Sequence, residues 1–430
     1  MPYLARRKLL LEKIGDGIAI IPTAPRRIRN RDSYYSYRPD SYFWYLSGFP
    51  EPDAAIVLVG GNKPRVLLFC QGKNEERETW EGVRYGPNAA REIFGFDEAY
   101  DFSEIDSCLP GLFSGHQSIW IPLGQDRRWE TRILSAINVL RTKARAGTRF
   151  PTQINDLCTP LDRMRRIKDA HETALMFKAA AITSAGHARA MRACHDGITE
   201  YALEAELGHE FRRLGASGHA YPPIVAGGSN ACVLHYCENS ARLTEGMLVL
   251  IDAGCEFENY AADITRTFPV GGRFTAAQRD IYEIVLAAQN AAIGAIVPGT
   301  AFNAYHDAAV RVLTQGLLDL KILNGALDGL IESEAYKPYY MHRSGHWLGL
   351  DVHDAGEYVA EDREWAALVP GMTLTVEPGL YFSRGSGVPE AFRGIGVRIE
   401  DDILVTETGA SVYTSAPKSA SEIEEIMRCK

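Results

Sequence analysis

Leu248-Val249-Leu250-Ile251-Asp252-Ala253-Gly254 decides the fold. It is an unbroken apolar run, bounded by Glu245-Gly246 and Gly254, that ends in a carboxylate. Such a run reads as a strand covered on both faces rather than an alternating surface strand. Asp252 therefore leaves the sheet into a partly enclosed site. A second acid follows in Ala261-Ala262-Asp263-Ile264-Thr265-Arg266-Thr267-Phe268, a β-prone stretch able to return as the partner strand of a hairpin and bring the two acids together. Two close carboxylates need a cation, a shared proton or a nearby arginine. The structural alternative is that Asp263 pairs with Arg266 while Asp252 caps a turn.

The chain around this stretch has 430 residues, beyond the size at which one core keeps growing, so two domains are expected. Apolar residues make up 46% and charged residues 23%, a soluble globular balance. A net charge of −9 leaves no basic excess to neutralise phosphates, which argues against nucleic acid as a partner. Arg163-Met164-Arg165-Arg166 reads as a solvated helix approach. The cysteines at Cys70, Cys108, Cys158, Cys194, Cys232, Cys237, Cys255 and Cys429 form no Cys-x-x-Cys pair, which suits reduced thiols. The apolar stretch Leu9-Leu10-Leu11 is too short for a signal-peptide core, and no run reaches the length of a membrane span. A cytoplasmic protein with no membrane partner is the expectation.

Short β-type runs at Ile18-Ala19-Ile20-Ile21, Ala54–Val59, Arg65–Phe69 and Ser118–Ile121 alternate with helical patterns and predict an N-terminal α/β domain over 1–162. An aromatic cluster, Tyr34-Tyr35-Ser36-Tyr37 and Tyr42-Phe43-Trp44-Tyr45, reads as core or interface. The second domain, 163–430, opens with a helix capped by Asp169 with Glu172 three residues on, with Ala174, Phe177, Ala181 and Ala185 on one face. A second helix follows Thr199 and stops at Gly215. Ile224–Gly227 and Cys232-Val233-Leu234-His235 read as two strands around a glycine turn that lacks phosphate-loop spacing. Thr275 and Gln278 cap a long helix, and Ala308, Ala309, Val312, Leu313 and Leu317 mark another.

The last hundred residues return to strands, and polar residues fall where a core would want apolar ones. His342, His346 and His353 crowd together. Thr373-Leu374-Thr375-Val376-Glu377 and Gly396-Val397-Arg398-Ile399-Glu400 each end a β-type run in an acid, as the opening strand does. Asp252, Asp263, Glu377 and Glu400 carry four negative charges, which two divalent cations would neutralise; without them repulsion in a dry pocket raises pKa values or spreads the strands. Oxygen ligands with one imidazole, most simply His346, suit Mn²⁺, with Zn²⁺, Co²⁺ or Fe²⁺ as other occupants. A metal pair roughly 3.5–4 Å apart would hold a bridging water and polarise a carbonyl.

These stretches, together with His342-Arg343-Ser344-Gly345-His346-Trp347-Leu348-Gly349-Leu350-Asp351-Val352-His353-Asp354 and Thr375-Val376-Glu377-Pro378-Gly379-Leu380-Tyr381, closely resemble the bacterial aminopeptidase P family, pita-bread dimetal metallopeptidases that split Xaa-Pro bonds. The resemblance covers the whole chain. It implies an α/β N-terminal domain for oligomerisation and the active-site rim, followed by a pita-bread domain with a pseudo-two-fold αβ repeat around a curved antiparallel sheet. It implies that Asp252 binds one metal, His346 and Glu377 the other, and that Asp263 and Glu400 bridge both. Glu377, His342 and His353 would be catalytic, Glu377 handling the proton of a hydroxide that bridges the metals and attacks the carbonyl before proline, and His342 stabilising the tetrahedral intermediate or shuttling a proton. His235, His353, Tyr381 and Arg398 would line the pocket for proline and the peptide beyond it. An Xaa-Pro bond has no N–H and a restricted preceding residue, so it calls for a dedicated cleft.

The structural alternatives are that His235 and His353 are satisfied histidines, that Tyr381 is core, and that Arg398 pairs with Asp401 or Asp402. The resemblance also implies a homo-oligomer, a tetramer built from dimers or a dimer. Two positions depart from the family pattern: Arg343 stands where Gly is expected, and Tyr42 where many relatives have an acid, with Asp40 nearby. A Trp like Trp80 belongs to the rim region in such enzymes. The rival activities are a prolidase confined to Xaa-Pro dipeptides and a pita-bread binding module without catalysis.

Overall fold

The computed structural model describes residues 2–360, 363–385 and 387–428, and it divides into two compact units after Arg165. Cys429 lies outside the described residues. Among them no two cysteines form a disulfide, and no helix is long and apolar enough to cross a membrane.

The first unit is a six-stranded mixed sheet in the spatial order Glu98–Asp101, Arg65–Cys70, Ala55–Val59, Ile18–Pro22, Ser118–Ile121, Gln153–Asp156. The two ends of the sheet pair in parallel and the middle in antiparallel. Ile18, Ile20, Val57, Leu67 and Phe69 face helices Ile105–Phe113 and Arg127–Thr142 in one core. The aromatic cluster divides: Phe43 and Tyr45 are buried on helix Ser41–Ser47, while Tyr34 and Tyr35 are exposed. Asp40 caps that helix by accepting from the Phe43 N–H, and the Tyr42 hydroxyl donates to Asp162 Oδ1 at 2.5 Å. The solvated approach expected at Arg163–Arg166 holds at Arg163, which is exposed, and fails at Arg165. Arg165 is buried with its guanidinium 4.9 Å from the Tyr42 ring, because a planar cation packs on an aromatic face.

In the second unit the capping boxes at Asp169/Glu172 and Thr275/Gln278 open helices Ala170–Ala193 and Ala276–Ala295 as the spacing predicts. The buried face of the first, however, carries Met176, Ala179, Ala180, Thr183 and His187, whereas Phe177 is exposed. Alanine is indifferent to either face, so an alanine stripe misleads where Met and Ile decide.

Strand Leu248–Asp252 lies between Ile224–Gly227 and Thr265–Pro269, antiparallel to both, with Asp252 opposite Thr265. Its apolar residues are fully buried, each contributing roughly 1.5–3 kcal/mol. A Cβ at Gly254 would stand 1.7 Å from the Ala262 carbonyl oxygen, so glycine there lets the chain return closely enough to place Asp263 beside Asp252. In the second half, Thr373–Val376 pairs with Asp401–Val405, and Gly379–Phe382 with Ile395–Arg398. The halves join where Glu400 N–H donates to the Thr265 carbonyl at 3.0 Å and the Thr267 hydroxyl to the Arg398 carbonyl at 3.0 Å.

The expected strand Cys232–His235 is absent. A 3-10 turn covers Gly228–Cys232, and the buried Glu200 carboxylate accepts from Gly227 N–H, Asn230 Nδ2, the Tyr236 hydroxyl and Ala241 N–H, so the segment is anchored from both sides on a side chain rather than on a neighbouring strand.

Candidate metal centre

Each acid reaches the site from a strand end. Asp252 closes Leu248–Asp252, Glu377 follows Thr373–Val376, and Glu400 lies between Ile395–Arg398 and Asp401–Val405. His346 comes from an irregular segment seated on the sheet. A Cβ at Gly345 would stand 2.0 Å from the Thr375 carbonyl oxygen, and His346 N–H donates to Thr375 Oγ1 at 3.2 Å.

Asp263, His346 and Glu400 each offer a ligand atom within 4.8 Å of the others. Asp252 and Glu377 complete the group from either side. The Tyr221 hydroxyl reaches Asp252 Oδ1 at 2.7 Å and also Asp263 Oδ1, while His346 Nε2 lies 3.4 Å from Asp263 Oδ2 and 3.7 Å from Glu377 Oε1. The site opens into a cavity of about 750 Å³, a size that suits a small peptide.

The electrostatics carry the signature of missing positive charge. Burial, then the neighbouring carboxylates, push Glu400 well above the usual carboxylate range. Burial also raises Asp263 and takes Glu377 to about 7 against the pull of His346 and Arg398. Burial opposes protonation of His346, but Asp263 and Glu377 outweigh it and lift the imidazole to about 9. Four carboxylates thus face one arginine, Arg398, and one imidazole. His346 Nδ1 lies 2.9 Å from the Trp347 carbonyl, an acceptor, which fixes a proton on that nitrogen and turns Nε2 toward the acids. A hard-oxygen set with one oriented imidazole fits divalent cations.

Arg398 is buried and bonds Asp252 Oδ2 at 2.6 Å rather than Asp401 or Asp402. Asp401 is already engaged by Arg266 at 2.6 Å, Lys418 at 2.7 Å and Gln289 at 3.0 Å. That assignment also removes Arg266 from Asp263. Strand alternation turns Thr265 into the site and Arg266 to the opposite side. The three consecutive acids therefore have three jobs: Glu400 faces the site, Asp401 anchors Arg266, and Asp402 accepts the Asp263 backbone N–H at 3.2 Å.

His342 has Nδ1 2.7 Å from the Arg343 carbonyl and 3.7 Å from Glu377 Oε2, with Nε2 2.8 Å from the Tyr381 hydroxyl. Burial, then Arg398, lower it to about 3, so the ring is neutral. Tyr381 in turn accepts from Arg398 Nη1 at 3.0 Å. His353 stands edge-on to His346 with ring centroids 4.3 Å apart, and His235 lines the same cavity; both are exposed. Sequence reasoning missed Tyr221, which joins two acids, and Thr265, whose hydroxyl donates to Glu400 Oε2 at 2.6 Å. Thr265 lay within the quoted stretch opposite Asp252, a register that could have found it. Tyr221 precedes the strand by three residues and carried no signal.

Residues 174–407 match the model of metallopeptidase family M24, and residues 3–120 that of the aminopeptidase P N-terminal domain. The chain is 44% identical over 429 residues to the Xaa-Pro aminopeptidase of Escherichia coli strain K12, covering 99% of this chain and 97% of that protein. The fold is similar to the solved aminopeptidase PepP of Pseudomonas aeruginosa, with a TM-score of 0.98 and 48% identity over 99% of this chain and 97% of the other. It is also similar to zinc-substituted Escherichia coli aminopeptidase P in complex with product, with a TM-score of 0.97 and 43% identity over 100% and 98%.

Proposed function

The chain belongs to metallopeptidase family M24, and on that premise we propose that it is an Xaa-Pro aminopeptidase, releasing the N-terminal residue from peptides with proline in second position. The observation that carries the proposal is the set of four carboxylates, two buried and two half-buried, with one oriented imidazole, short of positive charge, in the wall of a peptide-sized cavity. The aminopeptidase P N-terminal domain favours this activity over a prolidase, and a complete ligand set argues against a binding module without catalysis.

In the proposed centre Asp252, Asp263, His346, Glu377 and Glu400 would hold two divalent cations, most simply Mn²⁺. When bound, such cations polarise the scissile carbonyl and lower the pKa of a water. The protein's own groups do the rest. Glu377, whose Oε2 faces His342, accepts the proton of the attacking water and returns it to the departing proline nitrogen. Burial and then the Arg398 charge keep the His342 ring neutral, and the line Arg398–Tyr381–His342 fixes its orientation beside Glu377. His235 and His353 offer imidazole faces to the proline ring, while Tyr381, buried and outside the cavity lining, acts through His342 and Arg398; proline brings no N–H, so these rings need no acceptor for one.

Residues 1–162 serve oligomerisation and 163–430 catalysis, in a homotetramer or dimer located in the cytoplasm. Comparing Leu-Pro-Gly with Leu-Pro tests the activity: cleavage of the tripeptide is expected, and activity confined to the dipeptide would assign the chain to prolidase.

A further inference from the structure

Arg343 departs from the glycine expected after His342, and its side chain is placed with care. The guanidinium carbon stands 4.5 Å from the centroid of the Trp365 ring, and Nη2 donates to Asn303 Oδ1 at 2.5 Å. Stacking and a side-chain amide together hold a long, exposed arginine at the wall of the cavity, beside Phe302 and Tyr358. Neither anchor is an anion. Among the described residues no carboxylate lies within ion-pair distance of Arg343; Asp307, which accepts from Asn303 Nδ2 at 2.7 Å, feels its charge only from beyond that amide, and Arg343 lines the same cavity as the carboxylates.

The residues that line the cavity fall into two groups of different character. His235 and His353 lie within electrostatic reach of one another. Phe302, Tyr358 and Trp365 form a contiguous aromatic group, with Phe302 centroids 4.9 Å from Tyr358 and 6.4 Å from Trp365, and Arg343 sits over it. With proline against the histidines, as proposed above, the aromatic group is left to take the side chain of the residue being released.

We propose that Arg343 makes this enzyme favour peptides whose first residue is acidic, its guanidinium receiving the glutamate or aspartate carboxylate while Phe302, Tyr358 and Trp365 cover the methylenes. The inference rests on the Xaa-Pro reading above. A guanidinium with no ion-pair partner among the described residues offers a carboxylate its remaining N–H donors, and the same charge repels a first-position lysine.

The test compares kcat/KM for Glu-Pro-Gly, Gln-Pro-Gly, Lys-Pro-Gly and Leu-Pro-Glu with the Mn²⁺-loaded full chain, Arg343→Met and Arg343→Lys. The expected result is a Glu/Gln ratio above one that falls about three- to tenfold in Arg343→Met, as suits a half-solvated pair, and recovers partly in Arg343→Lys. The Glu/Gln ratio within each variant cancels any general loss from altered folding. An unchanged ratio in Arg343→Met overturns the inference, as does a loss confined to Leu-Pro-Glu, which would place Arg343 beyond the proline. Failure of the wild type on all four peptides removes the Xaa-Pro reading itself, whereas cleavage of all four with equal Glu and Gln rates removes the Arg343 assignment alone.

Discussion

Arg398 Nη2 and Asp252 Oδ2 stand 2.6 Å apart, both side chains largely buried, in the part of the sheet where the two halves of the second unit meet. Arg398 also bonds Tyr381 through Nη1 and Thr265 through Nε, so one guanidinium ties an acid of the first half to the strands of the second. Removing one partner of such a pair leaves a buried charge uncompensated. Arg398→Met is expected to lower the stability of the metal-free protein by about 3 kcal/mol, read from urea denaturation. An unchanged midpoint would mean that Asp252 is satisfied without it.

Metal removal should make stability fall as pH rises. Glu377 has a folded-state value of about 7, above its usual 4.5, and Asp263 and Glu400 shift the same way. A raised carboxyl favours folding at low pH, and that contribution is lost as pH climbs from 4.5 through about 7. His346, raised from 6.5 to about 9, adds stability below 6.5 that is lost as pH rises through 9. The Tm of chelator-treated protein should therefore decline across this window, and the gap to the Mn²⁺-loaded protein should widen with pH. A gap that narrows as pH rises would contradict the charge balance described for the site.

Thr265 tests the support of the ligands. Its hydroxyl donates to Glu400 Oε2 at 2.6 Å and accepts from Arg398 Nε at 3.2 Å, with no exposure to solvent. Thr265→Val keeps the shape and removes the hydroxyl. Groups that orient ligands are typically worth about tenfold or more in metal affinity. A loss of that order is expected in Mn²⁺ titration calorimetry, with helical and sheet content unchanged; wild-type affinity would leave Glu400 oriented by the backbone alone.

Much of this was legible in the sequence because buried acids are costly and therefore conspicuous. The runs ending at Asp252, Glu377 and Glu400 declared both a covered sheet and a charged site at its end, and the capping boxes at Asp169 and Thr275 fixed two helix starts. Partners were less legible. Arg266 lies three residues from Asp263, yet strand alternation sends it to Asp401, while Arg398 crosses 146 positions to reach Asp252. The face of helix Ala170–Ala193 was misread because its alanines carry little preference, and the strand expected at Cys232–His235 gave way to a buried carboxylate, Glu200, that no local pattern announces.

The most direct measurement is release of free leucine from Leu-Pro-Gly by metal-free protein as Mn²⁺ is added, with Leu-Ala-Gly and the Glu377→Gln variant alongside. The account predicts no release without metal, activity that rises to a plateau as the cations bind, little cleavage of Leu-Ala-Gly, and near-complete loss in a folded Glu377→Gln. Metal-independent release, or equal cleavage of the alanine peptide, would contradict it.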